Sequence, residues 1–195
     1  MRKLGIFGGT FDPIHQGHLT LAACALRQLN LDRVLFLPAA CSPFKTGQPS
    51  APAADRLAML RLAIQDCSEF EISTWEIEKA GISYTVDALR HFQQQFPQAE
   101  LFLLMGEDTF GGFDRWREPQ EIRRLARLAV APRQSLNART LPEDVIALAM
   151  PLCGTSSTTL RRTEDAAEYL PETVRTYIQD HGLYRAGKSA NGSGI

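Results

Sequence analysis

An eleven-residue segment near the amino terminus combines glycines and histidines at a spacing that suits phosphate chemistry. It spans residues 8–18 and reads Gly-Gly-Thr-Phe-Asp-Pro-Ile-His-Gln-Gly-His. Without side chains, Gly8 and Gly9 let the backbone approach a ligand closely and present its amides to an anion. His15 and His18 lie three residues apart, so both imidazoles fall on one side of a helix start. The segment predicts a site where imidazoles donate hydrogen bonds to phosphoryl oxygens during phosphoryl transfer.

Each part of this segment also has a simpler interpretation. A Gly-Gly pair alone is more often a tight strand-to-helix connection, and a lone histidine is more often a core or surface residue. The spacing matches neither the Walker A loop nor the dinucleotide GxGxxG motif. A zinc site is not expected, because His91 and His181 lie in predicted helices without ligand spacing. It is the whole eleven-residue string that indicates function.

A second hydroxyl-rich segment lies far along the chain. Residues 155–161 read Thr-Ser-Ser-Thr-Thr-Leu-Arg. Hydroxyls and exposed amides at a helix start, followed one turn later by an arginine, suit the binding of a triphosphate. A Ser/Thr-rich turn alone is usually a helix cap. In a chain that also carries the segment at residues 8–18, we interpret it as functional.

The elements that would position these two segments alternate between strands and helices. The predicted strands lie at residues 4–7, 34–37, 70–72, 101–105 and 128–131, and the predicted helices at 18–29, 55–67 and 84–96. Residues 145–150 follow a possible helix start, but their β-branched apolar run favours a last strand. A further helix begins near Pro171 and ends near Gly182.

This alternation predicts an α/β fold: a Rossmann-like, doubly wound parallel sheet with helices on both faces and a small C-terminal helical segment. Ligands of such sheets bind beyond the carboxyl ends of the strands. The chain has 195 residues, of which 44% are hydrophobic and 22% are charged. We therefore expect one domain over residues 1–185, followed by a Gly/Ser-rich tail at 186–195 that is predicted to be disordered.

Charge and cysteine usage exclude several classes of protein. The formal net charge of −1 argues against bulk attraction to nucleic acid or to an anionic membrane. No apolar run approaches the roughly 18 residues that span a bilayer, and the amino terminus lacks the pattern of a signal peptide.

The four cysteines show no CxxC spacing, so we expect neither a disulfide framework nor a zinc site. This cysteine usage leads us to expect a cytoplasmic protein. The oligomeric state is left open, a homo-oligomer included.

Two motifs carry a resemblance to a known family. Residues 8–18 resemble the nucleotidyltransferases marked by HxGH, and the full string resembles the nicotinate-nucleotide adenylyltransferases in particular. Residues 155–161 resemble that family's ISSTxIR motif. Three shorter segments also resemble family motifs: residues 43–45 (Pro-Phe-Lys) resemble PPHK, residues 83–87 (Ser-Tyr-Thr-Val-Asp) resemble SYTxDT, and residues 106–108 (Gly-Glu-Asp) resemble GxD. The aromatic segment at 113–116 and the C-terminal helix at 170–184 also match segments of the family. The resemblance covers roughly residues 3 to 184.

The resemblance implies an ATP-binding transferase of NAD biosynthesis. Such an enzyme joins ATP to nicotinate mononucleotide and releases pyrophosphate, with Mg²⁺ held mainly by the substrate phosphates and no metal ligands implied in the protein. The mononucleotide phosphate attacks the α-phosphorus directly, which requires alignment and charge neutralisation rather than a protein nucleophile.

The resemblance also implies which residues form the site, motif by motif. The implied catalytic residues are His15, His18 and Arg161. The implied ATP contacts are Gly8, Gly9, Thr10, Phe11, Lys45, Gly106, Asp108, Ser156, Ser157 and Thr158. The implied mononucleotide contacts are Asp12, Tyr84, Thr85, Trp116 and Arg133.

The chain departs from the family pattern at a few positions. Phe44 replaces the histidine of PPHK, which removes a ring donor near the triphosphate, and Thr155 takes the usual aliphatic place of ISSTxIR. Ala39 and Ala40 stand where some members place polar residues facing the pyridine ring.

Two other functions remain as alternatives. One is another HxGH transferase that acts on phosphopantetheine or uses CTP with a polyol phosphate, although phosphopantetheine enzymes are shorter and usually carry Thr-x-Gly-His where this chain has His15. The other is a non-catalytic nucleotide-binding protein on the same fold. Phe44 favours that second alternative, whereas the intact His15, His18 and Arg161 weigh against it.

Overall fold

The computed structural model describes residues 2–41, 51–131, 141–151, 157–161 and 168–184. Within these ranges six strands form a sheet, and each described strand pair is parallel. The strands are β1 (Lys3–Gly9), β2 (Arg33–Pro38), β3 (Phe70–Ile72), β4 (Glu100–Gly106), β5 (Arg127–Ala131) and β6 (Val145–Ala147). Their order across the sheet is β3-β2-β1-β4-β5-β6. Strands β2 and β3 therefore lie on one side of β1, and strands β4, β5 and β6 lie on the other side.

Helices connect these strands on both sides of the sheet. The four longest are α1 (Gln16–Gln28), α2 (Ala53–Ile64), α4 (Thr85–Gln95) and α8 (Glu172–Asp180). The shorter ones are α3 (Trp75–Lys79), α5 (Glu107–Phe110), α6 (Pro119–Leu125) and α7 (Ser157–Leu160), with a 3₁₀ turn at Phe113–Arg115. Among the described residues, no helix combines the length and the apolar character needed to cross a bilayer.

Alternate residues of the strands face two separate cores. Phe7, Phe36 and Phe102 belong to one core, which also contains buried residues of α1, α2 and α8. Ile6 and Leu35 belong to the other, which contains buried residues of α4 and α6. Because side chains alternate along a strand, a sheet covered on both faces needs nearly continuous apolar strands. The prediction of a doubly wound parallel sheet with helices on both faces is confirmed.

The predicted elements differ from the observed ones mainly at their ends. The second helix ends at Ile64 rather than at residue 67, because the chain turns there and the backbone N–H of Cys67 donates to the Ile64 carbonyl. The last strand stops at Ala147, short of the predicted residue 150. The α4 helix ends at Gln95, since Phe96 precedes a proline, which disfavours helical backbone in the residue before it. The predicted tail at 186–195 lies outside the described residues.

Candidate active site

A cleft of about 850 Å³ opens at the carboxyl edge of the sheet. It is lined by the end of β1, the start of α1, the segment after β2, and the segment that follows β4. This is where the strand order reverses, between β1 and β4, the usual place for a ligand in an open α/β sheet. Ligand pockets commonly measure about 300–1,000 Å³. The volume therefore suits a large ligand or two ligands side by side.

The two glycines that end β1 have different structural roles. Both line the cleft, and a Cβ added to Gly8 would meet no atom within 4 Å. A Cβ added to Gly9 would lie 3.1 Å from the ring of Phe11. Phe11 is buried and has a φ of 46°, an unusual backbone for a bulky residue. Gly8 thus leaves room at the ligand edge, and Gly9 lets Phe11 pack beneath the loop.

His15 and His18 stand together at the start of α1. Both line the cleft, and their rings stack with centroids 3.7 Å apart. The backbone N–H of His15 donates to Nδ1 of His18 at 3.2 Å. Because Nδ1 accepts this bond, the neutral ring of His18 carries its proton on Nε2, and that N–H can donate to a phosphoryl oxygen. The structure brings the two imidazoles together as their spacing predicts.

The helix start adds to the attraction for an anion. The first turn of α1 contains no acidic residue. Its backbone N–H groups carry a partial positive charge, and helix starts of this kind bind phosphate. Gly17, in this turn, also lines the cleft. An anionic group placed here would meet two imidazoles and the helix dipole together.

Asp12 lies beneath this loop rather than in the cleft lining. Only 3% of its surface is exposed. Its Oδ1 accepts hydrogen bonds from the Tyr184 hydroxyl at 2.6 Å and from the Ala51 backbone at 3.1 Å. Burial and the bond to Asp12 raise the pKa of Tyr184, so its hydroxyl stays protonated and donates. Asp12 is thus an anchor that joins the histidine loop to distant segments, and its contact with a mononucleotide stays a prediction.

The second sequence motif docks onto the same loop. Nη1 of Arg161 donates to the Asp12 carbonyl oxygen at 2.6 Å and lies 3.6 Å from Oδ2 of that residue. The Ser157 hydroxyl donates to the Pro13 carbonyl oxygen at 3.1 Å. Ser157 and Thr158 line the cleft. The structure therefore brings the described residues of the two motifs into contact, although they are far apart in the sequence.

Removing the Tyr184 hydroxyl should weaken this anchor. A buried hydrogen bond to a charged group is worth about 1.5–3 kcal/mol, so we expect Tyr184→Phe to lower the free energy of unfolding by about that amount. The measurement is chemical denaturation of both proteins. Tyr177→Phe serves as the control, because its hydroxyl donates to the half-buried Asp55 rather than to the almost fully buried Asp12, so its loss should cost less. Equal losses in the two variants would contradict the anchoring role of Tyr184.

Aromatic and charged side chains form the wall beyond β4. Gly106, Asp108 and Trp116 line the cleft, and the Trp116 ring packs against Phe113 with centroids 5.5 Å apart. Tyr84, the residue before α4, and Thr85, its first residue, also line the cleft. The Arg117 guanidinium lies 4.8 Å from the centre of the Tyr84 ring, a cation–π distance. This wall offers a flat aromatic surface beside positive charge.

Three predicted contacts lie outside the described residues. They are Lys45, Arg133 and Ser156. Of the others, Thr10 lines the cleft, whereas Phe11 is buried in the core. In the part of the chain that is described, no group of three or more His, Cys, Asp or Glu side chains is arranged to hold a metal ion.

The structure adds two buried charged residues that the sequence did not suggest. Glu76 on α3 lines the cleft with only 6% of its surface exposed, and burial raises the pKa of its carboxyl. Arg56 on α2 is also buried, and its Nη1 donates to the Thr10 carbonyl oxygen at 2.8 Å. Acidic and basic residues inside a helical pattern usually face solvent. No local pattern therefore predicts that Glu76 and Arg56 are buried.

Comparison with known proteins agrees with this geometry. A profile of the family described as cytidylyltransferase-like matches residues 6–163. A probable nicotinate-nucleotide adenylyltransferase of Thermomicrobium roseum is 43% identical over 198 residues, covering 95% of this chain and 92% of the relative. One of Thermus thermophilus is 41% identical, covering 94% of this chain and 100% of the relative. The chain belongs to the nicotinate-nucleotide adenylyltransferase family. It is therefore a nucleotidyltransferase by family.

The fold of this chain also resembles that of a solved nicotinic acid mononucleotide adenylyltransferase. The Plasmodium falciparum nicotinic acid mononucleotide adenylyltransferase, solved in complex with NaAD, superposes with a TM-score of 0.79. The alignment covers 94% of this chain and 98% of that chain at 17% identity. At this identity the likeness establishes the fold, and the HxGH resemblance of residues 8–18 agrees with the family.

Proposed function

We propose that this chain is a cytoplasmic enzyme that transfers the adenylyl group of ATP to nicotinate mononucleotide, forming deamido-NAD and pyrophosphate. The main observation is that His15 and His18 share one cleft with Trp116, at the reversal of the strand order. Imidazoles that could donate to phosphate thus line a cleft of a volume that suits two nucleotides, and an aromatic ring lines the same cleft. The relatives' names support the same reaction.

The reaction needs no nucleophile from the protein. An oxygen of the mononucleotide phosphate attacks the α-phosphorus of ATP and forms the new P–O bond. The bond between the α-phosphorus and the oxygen bridging to the β-phosphorus breaks, and pyrophosphate leaves with that electron pair. Negative charge grows on the oxygens around the α-phosphorus, where Nε2–H of His18 and the start of α1 would stabilise it.

Magnesium would enter with ATP. Mg²⁺ prefers oxygen ligands and is usually held by substrate phosphates together with one or two carboxylates. We propose that phosphate oxygens of the substrates supply most of its ligands, as the resemblance of residues 8–18 implies. When bound, the ion neutralises phosphate charge. Arg161 and Lys45 are proposed to add positive charge at the triphosphate, and Arg133 is proposed to contact the mononucleotide.

We expect the acid form of the mononucleotide to be preferred over the amide. Tyr84 and Thr85 line the cleft at the start of α4, where backbone N–H groups can donate to a carboxylate. Hydrogen bonds to a charged acceptor are roughly twice as strong as neutral ones, so kcat/KM should favour nicotinate mononucleotide over nicotinamide mononucleotide about tenfold. Side-by-side kinetics with the two acceptors measure the ratio. A ratio near one, or in favour of the amide, would contradict the preference.

The proposed function is tested by a panel of phosphate acceptors. Pyrophosphate release is followed with ATP and Mg²⁺ and, in turn, nicotinate mononucleotide, nicotinamide mononucleotide, phosphopantetheine and a polyol phosphate. We expect turnover with nicotinate mononucleotide to exceed that with the last two by a wide margin. Preference for phosphopantetheine or the polyol phosphate would favour another HxGH transferase. Saturable ATP binding without pyrophosphate from any acceptor would favour a non-catalytic nucleotide-binding protein.

A further inference from the structure

Arg56 is a buried charge beneath the loop that leads to His15, and the proposed chemistry does not use it. It lies on α2, and only 4% of its surface is exposed. Its Nη1 donates to the Thr10 carbonyl oxygen at 2.8 Å, and its Nε donates to the Ala51 carbonyl oxygen at 3.3 Å. Burying a charge is unfavourable unless the group is hydrogen-bonded. The two carbonyl groups that Arg56 holds therefore indicate what it supports.

The residue after Thr10 has an unusual backbone conformation. Phe11 has a φ of 46°, in the left-handed region that bulky residues rarely adopt, and such a conformation persists only where the surrounding structure fixes it. Before Phe11, Arg56 holds the Thr10 carbonyl oxygen. After it, Nη1 of Arg161 donates to the Asp12 carbonyl oxygen at 2.6 Å. Guanidinium groups from two distant parts of the chain thus fix the backbone on both sides of Phe11.

The Phe11 ring packs directly against one of the two imidazoles of the cleft. It meets the His18 ring edge to face, with centroids 5.2 Å apart and an angle of 74° between the planes. On another side it meets the ring of Phe7, with centroids 5.5 Å apart. His18 lies in the first turn of α1 and lines the cleft. The position of the His18 imidazole therefore depends on where the loop holds Phe11.

A second connection ties Arg56 to the same loop. The Ala51 carbonyl oxygen accepts from Nε of Arg56, and the Ala51 backbone N–H donates to Oδ1 of Asp12 at 3.1 Å. Ala51 thus links the buried guanidinium to the buried carboxylate. Arg56 acts on the loop at two points, directly at Thr10 and through Ala51 at Asp12.

We propose that Arg56 is a positioning residue for the reaction, which fixes the backbone around Phe11 and so holds the His18 imidazole where it meets the phosphate. This inference rests on the proposed function. It assigns no contact between Arg56 and a substrate, and Arg56 is outside the cleft lining. Because His18 is proposed to stabilise charge that grows in the transition state, loss of Arg56 should lower kcat and leave both KM values little changed.

Steady-state kinetics of Arg56→Met test the proposal, because methionine is unbranched and has no N–H donor in its side chain. Arg56→Met should lower kcat about tenfold to a hundredfold, while KM for ATP and for the mononucleotide stays within about threefold of wild type. Arg56→Lys keeps the charge but lacks the fork that reaches both carbonyl groups, so its kcat should fall about fivefold. Arg61→Met, which removes an exposed arginine of the same helix, is the control and should behave as wild type.

The double variant Arg56→Met/His18→Ala distinguishes positioning of His18 from a general effect on folding. If Arg56 acts through the imidazole, Arg56→Met should lower kcat by less than about threefold once His18 is alanine. A loss as large as in the wild-type background would overturn the inference, as would a kcat within about twofold of wild type in the folded single variant. If Arg56→Met does not fold, Arg56→Lys decides by the same two comparisons.

Proton NMR of the histidine rings separates this outcome from failure of the proposed function. The ring current of Phe11 displaces the resonances of the His18 imidazole, which the spectrum of His18→Ala identifies. These resonances should shift in Arg56→Met and keep their wild-type positions in Arg61→Met. If wild type shows no turnover with nicotinate mononucleotide, the proposed function fails, and shifted resonances would still support the positioning of His18 by Arg56. Unshifted resonances would overturn the inference whether or not the protein turns over.

Discussion

His18→Ala should lower kcat by about a hundredfold or more, while KM for ATP stays within about tenfold of wild type. The reason is the tautomer of the ring: Nδ1 accepts from the His15 backbone, so Nε2 carries the proton that can reach a phosphoryl oxygen. Removing one preorganised donor from a transition state costs about 2.7–4 kcal/mol. Steady-state kinetics with ATP, Mg²⁺ and nicotinate mononucleotide measure the loss.

A histidine outside the cleft, His181, provides the control for this experiment. His181 lies on the surface after α8 and stacks on Tyr177 with ring centroids 3.8 Å apart. It is outside the cleft lining, so His181→Ala should leave kcat unchanged. A loss of less than about threefold in His18→Ala would mean that the His18 imidazole has a structural role only.

Trp116→Ala should raise the acceptor KM about tenfold to a hundredfold and leave the ATP KM close to wild type. Trp116 is half-buried against Phe113, and it lines the cleft after β4. A flat pyridine ring can stack on such a surface, and stacking of a base on an aromatic side chain is worth about 1–3 kcal/mol. The acceptor KM measured at saturating ATP checks this.

The conservative substitution separates stacking from packing. Phenylalanine keeps a flat ring at this position, so Trp116→Phe should raise the acceptor KM by less than about threefold. An unchanged acceptor KM in Trp116→Ala would rule out the stacking interaction. A loss of stability without a change in either KM would assign Trp116 to the packing around Phe113.

The strands and long helices could be predicted because their patterns are local. A strand buried on both faces must be apolar at nearly every position, as residues 101–105 are, and such a run is visible without knowledge of its neighbours. The histidine pair was predictable for the same reason. His15 and His18 are three residues apart, and the helix that follows fixes their relative position.

The buried charges could not be predicted, because distant segments decide their burial. Asp12 is 172 residues from Tyr184, and no local pattern links the two. Glu76 lies on a helix of five residues, too short to show an apolar period. The burial of Glu76 depends on where α3 packs against the sheet, which is a property of the assembled fold.

The central claim is that the adenylyl group moves from ATP to the mononucleotide. It is tested most directly with ATP labelled at its α-phosphorus, incubated with Mg²⁺, nicotinate mononucleotide and the protein, with the labelled products separated and identified. The proposed reaction predicts that the label appears in deamido-NAD and that the pyrophosphate released is unlabelled. Label that remains in ATP, or that appears only as free AMP, would contradict the claim.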